Sequence, residues 1–367
     1  MIDSCEQVPA HLRALAPYQP GKPISELQRE LGLSAIIKLA SNENPLGPSP
    51  MALQAISQAL PELALYPDGS GHELKQALSA HYQIPQPQIV LGNGSNDVLE
   101  LVARTFLGPG TSAVYAQHAF AVYPLVTQAV GAEGIEVPAK DFGHDLEAMM
   151  AALRPDTRVL FLANPNNPTG TFLSGATVQA ALQRIPSRVL VVLDEAYTEY
   201  LLPQQRYPAM SWLQQHSNLL ISRTFSKAYG LAGLRVGFGV AHPEVIDLIN
   251  RVRQPFNVNA LALAAAAAAL QDQAFLERVR ALNQAGLMQL EEGFKRLSLP
   301  YIPSVGNFLT VRVGEAARVY QALLAQGIIV RPVAAYQMPE YLRVSVGTAA
   351  QNHLFLQALE RALHAAT

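Results

Sequence analysis

Five consecutive apolar residues, Val189-Leu190-Val191-Val192-Leu193, run without interruption into an acid, Asp194. A strand with one wet face alternates polar and apolar side chains. A strand with no alternation has both faces covered, as in the middle of a parallel sheet. Similar short runs, rich in β-branched residues, predict strands over 88–91, 112–116, 134–137, 158–163, 188–194, 218–222 and 236–240. Helical spacing lies between them, as over 96–106 and 120–130. This alternation argues for βαβ units and an α/β fold with a mainly parallel central sheet in a large domain.

Past residue 255 the texture changes. An alanine-rich helix is expected over 260–270, a long charged helix over 272–297, strands over 307–313, 327–331 and 341–346, and helices over 316–326 and 349–365. These read as a smaller α+β domain, joined by the N-terminal segment. Pro17, Pro20, Gly21 and Pro23 predict an extended arm up to about residue 24 rather than a helix. The expected division is 1–40 for the arm and part of the small domain, 41–257 for the large domain and 258–367 for the small one.

The chain has 367 residues, enough to bury a large core, and its net charge of −2 offers no field for nucleic acid or an acidic membrane. Cys5 is the single cysteine, which excludes an internal disulfide and a cysteine-rich metal site, and no metal is expected. The first six residues lack the basic and apolar regions of a signal peptide, so a cytoplasmic location is expected. Residues 105–132 and 254–271 hold no Asp, Glu, Lys or Arg, but Gly108-Pro109-Gly110 and Pro255 break them, so neither reads as a membrane span. Asn93-Gly94-Ser95 matches a glycosylation sequon, which has no use without secretion.

Four segments carry chemistry. Gly92-Asn93-Gly94-Ser95-Asn96-Asp97 follows a strand and opens a helix, where glycines admit close backbone approach and free N–H groups can receive a phosphate. The third glycine of a dinucleotide fingerprint is missing, and the ordinary alternative is a tight capped turn. Asn164-Pro165-Asn166-Asn167-Pro168-Thr169-Gly170 is a rigid loop after a strand, either a plain turn or a device that aims an amide into a crevice. Asp194-Glu195-Ala196-Tyr197 places a carboxylate at the end of a buried strand, where it needs a cationic partner unless it merely caps a helix. Arg223-Thr224-Phe225-Ser226-Lys227 sets a lysine among hydroxyl and aromatic neighbours, and Arg235 follows.

A buried acid, a later lysine among hydroxyls and an arginine beyond it suit pyridoxal 5'-phosphate (PLP). The lysine meets the aldehyde, the acid meets the pyridine nitrogen, and the hydroxyls and guanidinium meet the phosphate. Asn167 and Tyr197 can both hydrogen-bond the cofactor's phenolic oxygen. A serine–lysine hydrolase is the poorer reading, because adjacent residues rarely face each other and no Gly-x-Ser-x-Gly elbow surrounds Ser226.

The motifs resemble those of the fold type I PLP-dependent aminotransferases, and most of all the histidinol-phosphate aminotransferases, from about Leu12 to Leu363. The most specific segments are 38–47, Tyr66-Pro67-Asp68-Gly69, the asparagine–proline loop and 223–237, with 17–23, 329–332 and 342–348 closest to that branch. By position, the resemblance implies that Lys227 carries the cofactor and moves the proton, and that Asp194 pairs with the pyridinium. It gives Asn167 and Tyr197 to the phenolic oxygen, and Gly94, Ser95, Asn96, Thr224, Ser226 and Arg235 to the cofactor and its phosphate. It places Phe120 on the pyridine face. It sends Tyr66 to the phosphate in a neighbouring subunit, hence a homodimer with shared sites. Tyr18, Asn42, Arg331 and Arg343 would face the substrate, although 337–339 makes the match between the two arginines loose.

The implied reaction exchanges an amino group between L-histidinol phosphate and 2-oxoglutarate in histidine biosynthesis. An aromatic amino-acid aminotransferase and a threonine-phosphate decarboxylase share the fold and stay open as alternatives. A non-catalytic PLP-binding sensor lacks support, since no DNA-binding helix-turn-helix precedes residue 40.

Overall fold

The computed structural model describes residues 7–33 and 35–366; Cys5 lies outside them. In chain order the strands are β1 (Ile37–Lys38), β2 (Ile89–Gly92), β3 (Ser112–Ala116), β4 (Glu133–Val137), β5 (Thr157–Ala163), β6 (Leu190–Asp194), β7 (Leu219–Thr224), β8 (Gly237–Ala241), β9 (Tyr301–Ile302), β10 (Phe308–Arg312), β11 (Ile328–Ile329), β12 (Arg331–Pro332) and β13 (Tyr341–Ser345).

A seven-stranded sheet has the order β2-β8-β7-β6-β5-β3-β4. Its pairs from β4 through β7 are parallel, and only β8 runs against its two neighbours. The apolar run is the strand β6, buried at every position, as a strand covered on both faces must be. Because six strands point the same way, the segments after β2, β3, β5, β6 and β7 all emerge at one edge. Reversed, β8 begins at that edge, so Arg235 reaches it from the other direction. The chain leaves β3 outward to β4 and returns to β5 on the other side, so the crevice at that reversal lies between the two following loops.

A four-stranded antiparallel sheet, β12-β13-β10-β9, forms the second layer. Leu309, Val311, Leu342 and Val344 from this sheet pack with Phe355 and Leu359 of the helix Ala349–Ala366. The helix Gln273–Arg296 joins both cores: Phe275, Leu276 and Val279 near its start belong to the first, Leu290 and Phe294 near its end to the second. At a 1.5 Å rise per residue such a helix spans roughly 36 Å, enough to reach both. The pair β1–β11 is parallel and ties Ile37 to Ile328.

Two expectations need correction. The arm before residue 24 is not extended throughout, because Ala10–Arg13 forms a helical turn. Prolines 17, 20 and 23 stop a helix only where they stand, while Pro9 precedes the turn, where its missing N–H costs nothing. This turn is fastened by Gln128 Nε2, which donates to His11 O at 3.0 Å. The strand expected over 327–331 is divided at buried Val330: β11 pairs with β1, and β12 pairs with β13. The remaining expected strands lie within about two residues of the observed ones.

Candidate active site

At the common strand edge a cavity of about 200 Å³ opens between the two sheets. Its wall holds Lys227, Arg235, Arg331 and Arg343 but a single acid, Asp194. None of these four cations has a carboxylate ion-pair partner among the described residues. In a chain of net charge −2, this local excess marks a place for anionic ligands.

One end of the cavity is a cradle. Gly94 has φ +85° and precedes the helix Ser95–Phe106, whose first N–H groups have no side-chain cap. A Cβ at Gly94 would lie 2.3 Å from Arg235 Nη2, so only glycine lets this guanidinium reach the turn. Arg235 Nη1 donates to Ser226 Oγ at 3.0 Å, and Ser226 N donates to Thr224 Oγ1 at 3.1 Å. Exposed Asn96 lines the same end. Free N–H groups, two hydroxyls and a guanidinium around one point can hold a phosphate.

In the middle stand Asp194 and Lys227. Asp194 Oδ2 accepts from Tyr123 Oη at 2.8 Å, while Oδ1 is buried with no hydrogen-bond partner among the described residues. Burial pushes the carboxyl up to about 6, against the Tyr123 bond, which lowers it. An orphaned buried carboxylate oxygen facing a cavity is a socket for a protonated ring nitrogen. Lys227 Nζ donates to Ser41 O at 2.9 Å. Removal from water, followed by the charge of Arg343, lowers its ammonium to about 7. Asn167 Oδ1 accepts from Arg343 Nη1 at 2.5 Å, which leaves the Asn167 amide hydrogens to serve a ligand. Tyr197 Oη accepts from Asn42 Nδ2 at 2.9 Å and keeps its own proton to give. Phe120, after β3, lines the cavity and meets Tyr123 edge to face at 5.9 Å.

At the other end, Arg331 and Arg343 are direct cross-strand partners of β12 and β13. Opposed residues of an antiparallel pair project from the same face, so both guanidinium groups belong to one face. Arg331 Nη2 donates to Gln19 O at 2.6 Å, and its guanidinium lies 5.5 Å from the Tyr18 ring centre. Arg343 Nη2 donates to Ala40 O at 2.6 Å.

The structure thus gathers Tyr18, Asn42, Ser95, Asn96, Phe120, Asn167, Asp194, Tyr197, Thr224, Ser226, Lys227, Arg235, Arg331 and Arg343 on one wall. Tyr66 stays outside it, 83% exposed and stacked on Phe256 at 4.8 Å. Sequence reasoning missed Tyr123, three residues after Phe120, because its partner is 71 residues away. It also missed the ion pair between Arg223 and buried Glu195, 2.6 Å, which anchors the segment after Asp194.

The sequence profile of the aminotransferase class I and II family matches residues 34–359, and the chain belongs to that family. Two curated relatives are similar over almost the whole chain. Histidinol-phosphate aminotransferase 1 of Thiobacillus denitrificans is 65% identical, covering 98% of this chain and 94% of the relative. The histidinol-phosphate aminotransferase of Methylobacillus flagellatus is 63% identical, covering 98% of each. Among solved structures, histidinol-phosphate aminotransferase of Sinorhizobium meliloti in complex with pyridoxal 5'-phosphate superposes with a TM-score of 0.91 at 29% identity, covering 98% of each chain. The expected α/β aminotransferase fold and the expected resemblance are both borne out.

Proposed function

We propose that this chain is a PLP-dependent aminotransferase that exchanges an amino group between L-histidinol phosphate and 2-oxoglutarate, as in histidine biosynthesis. The observation that carries this reading is the pair of separate anion sites, the Gly94–Arg235 cradle and the Arg331–Arg343 pair, on one cavity with Lys227 between them. One site takes the cofactor phosphate. The other takes the phosphate of histidinol phosphate, which has no carboxylate, and in the return half-reaction a carboxylate of glutamate. A guanidinium binds either group bidentately.

The residues fit the cofactor on two counts: the orphaned Asp194 Oδ1, and a turn at Gly94 that a Cβ would close. When bound, PLP supplies an aldehyde for amines and a pyridinium ring that withdraws electrons from the substrate α-carbon. Lys227 is the residue that carries it. Its Nζ would take up and return the proton of the substrate α-carbon. A lysine lowered to about 7 is largely unprotonated just above neutrality, as a base must be. Asp194 keeps the pyridine nitrogen protonated, and Asn167 and Tyr197 donate to the phenolic oxygen. Phe120, on the cavity wall, would offer its ring to one face of the pyridine. Gly94, Ser95, Asn96, Thr224, Ser226 and Arg235 hold the phosphate end. Tyr18, Asn42, Arg331 and Arg343 border the substrate.

Among the described residues no helix is long and apolar enough to cross a membrane. A cytoplasmic location belongs to the same reading, as suits an enzyme of amino-acid biosynthesis. The division at about residues 40 and 257 is part of the same reading, with the cavity between the two layers. So is a homodimer: Tyr66, Leu63 and Leu65 are exposed on one segment outside the chain's own cavity, as residues serving a second copy would be. Mixing inactive Lys227→Ala and Tyr66→Ala chains should restore about a quarter of wild-type sites at random assortment. Hybrid dimers without activity would refute shared sites.

Substrate choice is tested by steady-state kinetics on histidinol phosphate, phenylalanine and threonine phosphate. The highest kcat/KM is expected with histidinol phosphate. A preference for phenylalanine, or carbon dioxide release from threonine phosphate, would overturn the assignment.

A further inference from the structure

Asn42 is buried at 1% exposure and holds a left-handed backbone, φ +56°. Asparagine tolerates this region better than most residues with a Cβ. All of its polar groups are engaged. Its N–H donates to Ser345 Oγ at 2.8 Å, and its carbonyl accepts from Asn307 Nδ2 at 2.9 Å. Its Oδ1 accepts from Ser345 Oγ at 2.9 Å, and its Nδ2 donates to Tyr197 Oη at 2.9 Å. Three distant stretches of chain meet at this residue, 303 positions separating it from Ser345 and 155 from Tyr197.

The geometry points to Asn42 as a positioning residue that, through Ser345, fixes the direction of the Tyr197 hydroxyl proton so that it points at the ligand. This deepens the proposed function and rests on its placement of Tyr197 at the cofactor's phenolic oxygen.

A phenol has one proton to donate. The amide of Asn42 has an accepting end and a donating end, and which end faces Tyr197 decides where that proton goes. With Nδ2 toward Tyr197, the phenol accepts from Asn42 and its proton is free for the cavity. With Oδ1 toward Tyr197, the proton is consumed by Asn42.

Ser345 decides between them. Its buried Oγ already accepts from the Asn42 N–H, and its single proton needs an acceptor, which is Asn42 Oδ1. A reversed amide would leave that proton without a partner in a buried place, a costly arrangement. Thus Ser345 orients the amide and the amide orients the phenol. Arg343, Asp194, Tyr336 and Lys227 also face Tyr197, and burial raises the phenol to about 12. Tyr197 therefore keeps its proton to donate throughout the working range of pH.

The test uses the PLP-loaded protein and a readout other than turnover: the pH midpoint of the bound cofactor's visible absorbance change. A hydrogen bond donated to the phenolic oxygen favours its charged form, so losing that bond should raise the midpoint. Tyr197→Phe should raise it by about one unit. Asn42→Asp keeps the shape and tolerates the backbone but only accepts. It should turn the Tyr197 proton inward and raise the midpoint by a similar amount.

Asn42→Gly, also at ease at positive φ, leaves the phenol free to rotate and should give about half that shift. Ser345→Ala should follow Asn42→Gly in direction, and Ser345→Thr should stay near wild type. The decisive arm is Asn42→Asp combined with Tyr197→Phe, which should move the midpoint no further than Tyr197→Phe alone. Shifts that add would show that the introduced carboxylate acts by its charge and would overturn the inference. Asn42→Asp and Asn42→Gly both titrating like wild type, while Tyr197→Phe shifts, would also overturn it. A Tyr197→Phe variant with the wild-type midpoint would instead remove the placement of Tyr197 itself, and this inference with it.

Discussion

The two ends of the cavity are built in opposite ways. The cradle end stands on one sheet: Ser95 follows β2, Thr224 ends β7, and Arg235 precedes β8, with Gly92, Gly237 and Thr224 in register with one another. A Cβ at Gly237 would lie 2.5 Å from Ser95 N, so backbone meets backbone there with nothing to spare. The arginine end is assembled from pieces. Arg331 is held by Gln19, 312 positions away, Arg343 by Ala40, and Tyr18 is 47% exposed. The strand that carries Arg331 is two residues long. Hydrogen-bonded strand ends make a rigid seat for a cofactor that stays. Short strands and a half-exposed arm suit a ligand that must enter and leave.

If this contrast is right, changes at the cofactor end should hurt every substrate alike, and changes at the arginine end should discriminate. The largest effect is expected from Lys227→Ala. Loss of the covalent lysine and the base should lower turnover by at least ~10³–10⁴-fold with all amino donors. Borohydride reduction and peptide mapping of the wild type should place the pyridoxyl group on Lys227; finding it on Lys38 or Lys75 would break the comparison at its centre.

Asp194→Asn should lower turnover by roughly 10²–10³-fold while substrate binding changes far less. Near-normal turnover would make Asp194 a purely structural residue. The same variant separates function from stability. Burial raises the carboxyl from 3.8 to about 6, so the folded chain holds that proton more tightly than the unfolded chain does. The cofactor-free protein should therefore lose stability as pH rises from about 4 to about 6, and remain at the lower level above that. Asp194→Asn removes the loss, so its cofactor-free form should be more stable than wild type at pH 7–8, by about 3 kcal/mol. The advantage should vanish below pH ~4 and reverse when PLP is added. A variant that melts lower without cofactor would contradict the orphaned carboxylate.

Arg331→Ala should be milder and selective. Losing one charge-assisted contact to phosphate costs ~1.5–3 kcal/mol, roughly ten- to hundredfold in kcat/KM for histidinol phosphate. Unphosphorylated aromatic substrates should be nearly unaffected. Arg343→Ala should weaken glutamate as well, because a guanidinium serves the carboxylate in the return half-reaction and Arg343 also donates to Asn167 in the middle of the cavity. Equal losses on all substrates in Arg331→Ala would erase the distinction between the two ends.

Legibility in the sequence followed the same division. The strands β3 and β6, the glycine turn, Asp194 and the 224–227 segment could be read because their determinants are local. An unbroken apolar run states that both faces of a strand are covered, a glycine states close approach, and a rigid loop follows its strand directly. The helical turn Ala10–Arg13 was not legible, since four residues carry no periodicity and the turn is fastened from another helix by Gln128. Nor was Tyr123, whose carboxylate partner Asp194 stands 71 residues further on, at the end of β6.

What the sequence by itself determined is therefore the α/β plan, the order in which strand ends deliver their groups, and the chemical kinds present: one lysine, one acid and several guanidinium groups in a fixed succession. Tertiary structure alone decided how those kinds pair. It put Arg331 opposite Arg343 by register, set the Tyr18 ring against Arg331, left Asp194 Oδ1 without a partner among the described residues, and set Asn42 between Ser345 and Tyr197. The physical reason is range. Hydrophobic periodicity and turn chemistry act over a few residues and leave a trace in local sequence. A hydrogen bond or an ion site depends on angles and distances of a few ångströms between segments hundreds of residues apart, and these exist only once the sheets have packed.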